Sequence, residues 1–228
     1  MKSGRNRIKT GLWILLLLFL CTLSSCKSTD HADAGIRIRL EEYSTGNGTS
    51  VQIPEFYAEN EQLQQSIHEL ERETKKLRRI CEKAKKNNEH LEMQSYIRDT
   101  DGFPQVTVVW YTAEEDSRTY NLVTLCADEK EGIPITCREA LVRTGMRGVD
   151  LSLQVGKLAQ EADLGGELSS MEMQGFQIDE TGIVREIYMK LLIRKEEGKE
   201  PVEEEHFFTF IPEEDRIMPL SEKGFDVP

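Results

Sequence analysis

Cysteine is the residue type with the most latent chemistry in this chain. Three of its five copies, Cys81, Cys126 and Cys137, fall in the part of the sequence that reads as folded. Cys126 and Cys137 flank the stretch Asp128-Glu129-Lys130-Glu131-Gly132, which reads as a turn, and Ile133-Pro134-Ile135, which reads as a returning strand. Their midpoint lies between Glu131 and Gly132. A two-residue turn there, with Gly132 at the position needing positive φ, sets the two thiols opposite each other. In that register Pro134 falls at a non-hydrogen-bonded pair, where its missing N–H removes no ladder bond. The cysteines then occupy a hydrogen-bonded pair, a less comfortable place for a bridge. A Cys126–Cys137 disulfide and a pair of reduced, buried thiols therefore both stay open. Cys81 lies on an apolar helix stripe and reads as a small core residue.

The other chemistry-bearing residues are scattered. His31, His68, His90 and His206 show no ligand spacing. The sequence has no nucleophile elbow, no phosphate-binding glycine loop and no paired-histidine zinc motif. Asp99-Thr100-Asp101-Gly102 has the start of a calcium loop without the ligands that must follow, and reads as a turn. Glu203-Glu204-Glu205-His206 either presents carboxylates to a cation or is a solvated loop. A glycosidase pair is compatible with a sequence this rich in Asp and Glu, but nothing in the sequence places two carboxylates together. No catalytic residue, cofactor or metal is expected, and the chain reads as a non-enzyme.

At the N-terminus, Lys2, Arg5, Arg7 and Lys9 precede an apolar run from Gly11 to Cys21, followed by Leu23-Ser24-Ser25-Cys26. Basic start, short apolar stretch and small residues form the order of a secretory signal. The apolar run is shorter than the roughly 20 residues of a comfortable membrane span. Leu23-Ser24-Ser25-Cys26 resembles the bacterial lipobox. That resemblance implies cleavage before Cys26, a diacylglycerol on its thiol, and a protein lipid-anchored on the extracytoplasmic face of the cell membrane. An uncleaved anchor with a chance cysteine leaves the rest of the chain outside the membrane as well. The organisation expected is a signal peptide at 1–25, a flexible tether at 26–48, in which Ile36–Leu40 could add a short strand, and one domain at 49–228.

Charge narrows the partners. The chain is 31% charged and 38% hydrophobic, ordinary for a soluble domain, with a net charge of −12. Loss of the four signal cations and no anions takes the mature form to about −16. Such a domain disfavours nucleic acid and anionic lipid as ligands and allows steering toward a basic partner. On composition alone, simple solubility accounts for the acidity better.

Several elements must position these residues. Pro54 is expected to open a long helical segment, in which Leu63, Ile67, Leu70, Thr74, Leu77, Cys81 and Ala84 recur in steps of four and three on one stripe. The repeat lasts only about three heptads. A helix laid on its own domain's sheet is therefore favoured over a coiled-coil dimer. Asn87 and Asn88 end the helix. Strands follow at Glu92–Arg98, Pro104–Tyr111, Tyr120–Cys126 and Ile133–Cys137, then shorter helices at Arg138–Met146 and Leu151–Ala162. Ala113–Asp116 is read as a polar turn. Met171–Ile178, a turn at Asp179–Gly182 and Ile183–Ile193 read as a hairpin, although the last segment also fits a helix. Glu196–Glu205 is expected to be an acidic loop, and His206–Ile211 the last strand. The fold class is α+β: an antiparallel sheet with one long N-terminal helix and two shorter helices packed on it.

The segment from Tyr120-Asn121-Leu122-Val123 through Glu131-Gly132-Ile133-Pro134-Ile135-Thr136 to Glu139-Ala140-Leu141 resembles the extracellular domain of the RsiV-type anti-sigma factors. Val51–Phe56 is similar to that family's opening, Gly175–Val184 to its late hairpin and Phe208–Pro212 to its closing strand. The resemblance implies an α+β receptor domain without catalytic residues, whose ligand in that family is lysozyme, a basic protein. Where the family has a Gly-Gly-Ala-His stretch, this chain has Tyr111–Ser117, so no role of that loop carries over. The ten residues before the apolar run are too few for a sigma-binding domain. The function expected is a lipoprotein with a non-catalytic binding or sensing domain, for a basic protein such as lysozyme or a cell-wall component. Glu114, Glu115, Asp116 and Glu203–Glu205 are the candidate contacts. The alternative is an envelope enzyme or enzyme accessory acting on cell-wall polymers.

Overall fold

A computed structural model describes residues 35–45, 50–114, 117–197 and 200–227. Cys26, the signal and most of the expected tether lie outside them. The first strand, β1 (Arg37–Ser44), pairs antiparallel with β2 (Ser50–Tyr57). The compact unit thus begins at Gly35, inside the stretch expected to be tether. Pro54 does not open a helix. It sits in β2 opposite Leu40, where an edge strand tolerates its missing N–H.

The long helix, α1 (Gln64–Asn87), follows a short 3₁₀ turn at Glu61–Leu63. Asn60 caps that turn by accepting the Gln62 amide at 2.9 Å. All seven stripe residues, Leu63 to Ala84, are buried. They pack within the chain on Val51, Ile53 and Phe56 of β2 and on Leu91, Val108 and Leu125 of the sheet behind it. Thr74 fits this apolar stripe because its hydroxyl donates to the Leu70 carbonyl at 2.9 Å. Asn88 closes the helix in the left-handed region at φ 56°, its N–H turned back to Ala84 and Lys85.

The strands do not form the single sheet expected. Three antiparallel sheets are present: the β1–β2 hairpin and two of four strands. The first four-stranded sheet runs β3 (His90–Arg98), β4 (Gln105–Glu114), β5 (Ser117–Asp128) and β6 (Ile133–Ile135). Helices α2 (Cys137–Arg143) and α3 (Gly148–Glu161) come next in the chain. The second sheet follows, with β7 (Glu167–Ile178), β8 (Val184–Glu197), β9 (Glu200–Ile211) and β10 (Arg216–Pro219) in the order β10-β9-β8-β7. The segment expected at Ile183–Ile193 is therefore strand from Val184 onward. The expected acidic loop at 196–205 is instead the tip of the β8–β9 hairpin, whose ladder runs to Glu197↔Glu200. Ala113 and Glu114, read as turn, extend β4.

The sheets divide at β7, which crosses β5 instead of pairing with it. A Cβ on Gly175 would lie 2.5 Å from Thr124 Oγ1 and 2.7 Å from Leu122 Cδ2, so only glycine permits the crossing. Side chains of the first sheet replace a ladder there. The Phe176 amide donates to Thr124 Oγ1 at 3.2 Å. Gln105 donates to the Ile178 carbonyl at 2.7 Å and accepts its amide at 3.1 Å. These bonds satisfy part of the free edge of β7. One face of the second sheet packs on α2 and α3 through Ile187, Met189, Leu191 and Phe210. Its other face meets the first sheet and the C-terminal residues Leu220, Phe225 and Val227 through Tyr188 and Phe207.

Candidate functional site: a groove at the edge of the first sheet

The β5–β6 turn is organised by Asp128, which is buried. Its carboxylate accepts the Glu131 amide at 3.0 Å and takes the Arg143 guanidinium at 2.6 Å. Gly132 adopts φ +67°, as its place in the turn predicted. The turn spans four residues, however, and the ladder pairs Cys126 with Ile135, Ala127 with Pro134 and Asp128 with Ile133. This overturns the expected Cys126–Cys137 register. Strand β6 ends at Ile135 because Thr136 is the N-cap of α2. Thr136 Oγ1 accepts the Glu139 amide at 3.3 Å, and Glu139 accepts the Thr136 amide at 2.7 Å. Cys137 is thus the first residue of a helix, and Cys126 and Cys137 are free thiols.

Register parity survives the two-residue slip. Ala127 donates its amide toward β4, to the Pro104 carbonyl at 3.3 Å. It therefore faces Pro134 as a non-hydrogen-bonded pair, and the missing N–H of Pro134 falls on the free edge of the sheet.

Because β6 is short and α1 lies over the centre of its sheet, a groove of about 240 Å³ remains at the edge. Its apolar lining comes from Leu70 of α1, Val123 and Leu125 of β5, and Pro134 and Ile135 of β6. Thr136, Cys126 and Cys137 also line it, so the structure brings the two predicted cysteines into one cavity without joining them. Burial pushes the Cys126 thiol up to about 12. Burial, with Glu172 nearby, pushes Cys137 up to about 11. Both are protonated at neutral pH and poor nucleophiles. Cys81, raised to about 11 by burial, is a core residue of α1.

The α1 rim carries Glu69, Arg72 and Glu73. Glu73 pairs with Lys76 at 2.7 Å and with Arg72 at 3.8 Å. Half-buried Glu69 makes no hydrogen bond or ion pair among the described residues. Sequence reading missed this pair. The available signal was two carboxylates at i and i+4 bordering the apolar stripe, easily passed over in a helix so densely charged.

The predicted acidic contacts fare differently. Glu203, Glu204 and Glu205 lie in β9 and face the cations of β8: Arg194–Glu203 at 3.5 Å, Lys195–Glu204 at 2.6 Å and Lys190–Glu205 at 2.5 Å. The hydrogen bond from Lys195 holds the Glu204 carboxyl below its usual range, against an opposing push from burial. His206 lies 3.4 Å from Glu204. This run is an internally paired ladder and not an open acidic surface. Glu115 and Asp116 lie outside the described residues, as does the side chain of Glu114. The Asp99–Gly102 segment is a turn, with Thr100 accepting the Gln105 amide at 2.9 Å. Among the described residues no group of three or more His, Cys, Asp or Glu side chains is placed to hold a metal ion.

A second polar cluster lies across β3–β5. His90 sits 2.9 Å from Glu92, and Arg118 lies 5.1 Å from the centre of the Tyr111 ring. The Tyr111 hydroxyl, with His90, holds the Glu92 carboxyl below its usual range, while burial pushes Tyr111 up to about 12. Each member is satisfied by another, which makes the cluster a surface network. Compared with known proteins, the chain matches no family model and no curated protein.

Proposed function

We propose that the chain is a membrane-anchored extracytoplasmic lipoprotein whose domain is a non-catalytic binding or sensing module, and that the ligand engages the groove beside α1. The lipobox-like Leu23–Cys26 supports the anchor. The order of four short stretches, at 51–56, 120–141, 175–184 and 208–212, that resemble the RsiV-type extracellular domain supports the receptor reading and a fold of that kind. The observation that carries the ligand class is the carboxylate of Glu69, unpaired among the described residues, at the mouth of an apolar groove. That arrangement suits a lysine or arginine side chain of a basic protein: the stem lies over Leu70, Val123 and Ile135, and the charged head meets Glu69. The buried thiols take no part in chemistry and line the wall.

Two experiments test this. Growth in labelled palmitate, comparing the native chain with Cys26→Ala, is expected to label only the native chain; equal label in both sinks the lipoprotein reading. For the ligand, the protein is immobilised and lysozyme applied across a salt series. Association is expected to slow steeply as salt rises, because screening shortens the field to about 8 Å at physiological ionic strength. Glu69→Lys is expected to weaken binding about tenfold or more, a buried-rim charge reversal of over 1.4 kcal/mol. Absence of binding at low salt, to lysozyme and to a panel of basic envelope proteins, overturns the ligand class.

A further inference from the structure

We infer that the outer face of the α2–α3 helix pair docks on the lipid–water interface of the membrane that carries the anchor, an inference that rests on the lipoprotein reading. Helix α3 buries Leu151, Val155 and Ala159 against the second sheet. A water-facing helix then presents polar residues on the opposite side. Here that side carries Val149 and Leu153, one turn apart, at 56% and 71% exposure, and α2 adds Val142 at 70%. Three of the seven exposed large hydrophobics among the described residues thus fall on this one helix pair.

Charge on the pair differs from that of the molecule. Residues 137–161 carry four cations, Arg138, Arg143, Arg147 and Lys157, against three anions, in a chain of net −12. Arg143 turns inward to Asp128. Arg147 and Lys157 stand outward with side chains 79% and 74% exposed, paired along the helix with Asp150 at 2.8 Å and Glu161 at 3.7 Å, and exposed Arg138 has no partner among the described residues. Apolar side chains ringed by long cations fit the headgroup boundary, where the stems lie in the apolar layer and the charges meet phosphates. Glu139, Asp150 and Glu161 lie on the same pair, and Arg147 and Lys157 hold Asp150 and Glu161, so the acidity of the chain is balanced here and not in excess.

Where the chain enters the domain selects the bilayer as the occupant. The Ile36 amide donates to the Glu129 carboxylate on the β5–β6 turn. The neighbouring Asp128 is tied to Arg143 of α2 at 2.6 Å. The chain that leads back toward Cys26 therefore leaves the domain at the corner where α2 sits. Beside that corner, Ile133, Arg138 and Val142, with the carboxylates of Glu131 and Glu139, line an open depression of about 500 Å³.

The test uses the full lipidated chain in phosphatidylethanolamine–phosphatidylglycerol vesicles containing brominated acyl chains, which quench tryptophan at the bilayer boundary. Tryptophan is placed at Leu153→Trp, at Val142→Trp and, on the far side of the second sheet, at Glu222→Trp; all three positions are exposed, so the fold tolerates the change. Native Trp110 supplies the common background. Emission from the Leu153→Trp and Val142→Trp proteins is expected to fall about twofold or more below that background, and that from Glu222→Trp to stay at it. Equal quenching at all three sites, or none while the protein still floats with the vesicles, overturns the docking face and leaves the anchor standing. Failure to float, matched by Cys26→Ala, overturns the anchor reading itself. A concentration-dependent blue shift of Leu153→Trp in detergent without vesicles assigns the face to a second copy of the chain and overturns the bilayer.

Discussion

The two four-stranded sheets are built alike and covered differently. Over the first lies one long helix, fixed by a stripe of seven buried residues, and the edge at β6 remains open as a groove. Over the second lie two short helices whose inner faces fill the sheet, Ala140 on α2 and Leu151, Val155 and Ala159 on α3, while Val142, Val149 and Leu153 stay outside. A single rigid rod cannot follow the twist of a sheet to its edge, so it leaves a cavity inside the molecule's own surface. A broken pair follows the twist more closely and leaves its unsatisfied apolar area outward. The ligand site and the docking face proposed above are these two kinds of residue left by packing.

The sharpest way to break the comparison is at the seam the two sheets share. Gly175→Val forces side-chain atoms onto Thr124 and Leu122 and removes the Phe176 bond, and is expected to destabilise both halves together by about 3 kcal/mol or more. Urea unfolding checks this, and a native midpoint refutes the crossing. Next, Leu77→Ala in the α1 stripe is expected to cost about 3 kcal/mol, whereas Leu153→Ala on the outer face of α3 shifts stability by about 0.5 kcal/mol or less. Similar losses at both positions deny the difference between the helices.

A smaller loss than that at Leu77 concerns the turns, each organised by one aspartate holding an arginine. Asp179 in the β7–β8 turn is pulled upward by burial. The Thr181 hydroxyl, the Ile183 and Thr181 amides and the Arg185 guanidinium outweigh that pull and hold it at about 2. A folded-state value below the unfolded value of about 3.9 stabilises the fold above that pH and ceases to do so as the pH falls through about 2. Asp179→Asn is expected to cost about 1 kcal/mol at pH 6, with the gap to the native protein closing toward pH 2. A gap that is constant over this range removes Asp179 from the acid sensitivity of the molecule.

Much of the fold was legible because it depends on local pattern. The stripe from Leu63 to Ala84, the stop at Asn88 and the edge strand at β3 follow from spacing and single-residue preferences. The failures share a non-local cause. Glu203–Glu205 looks like a loop until Lys190, Arg194 and Lys195 come alongside; three adjacent carboxylates enter a strand only when a partner strand neutralises them. Symmetry about Glu131-Gly132 gave the correct parity and the wrong turn length, because the capping box at Thr136 ends β6 before Cys137 can pair. Division into separate sheets hangs on Gly175, whose role is visible only once β5 lies beneath it. Of the candidate site, the sequence named the two cysteines as an opposed pair, a register they do not adopt, and overlooked Glu69.

The proline on the free edge of β6 bears on how copies of this chain behave when crowded. On the membrane proposed above, the chain would meet its neighbours in two dimensions, at densities not reached in bulk solution. An open row of amides and carbonyls then acts as a template for strand-by-strand growth into insoluble aggregates. Pro134 interrupts that row at the middle of a three-residue strand, so an incoming chain finds a ring where it needs a donor. The groove alongside therefore stays open to side chains while remaining closed to polymerisation.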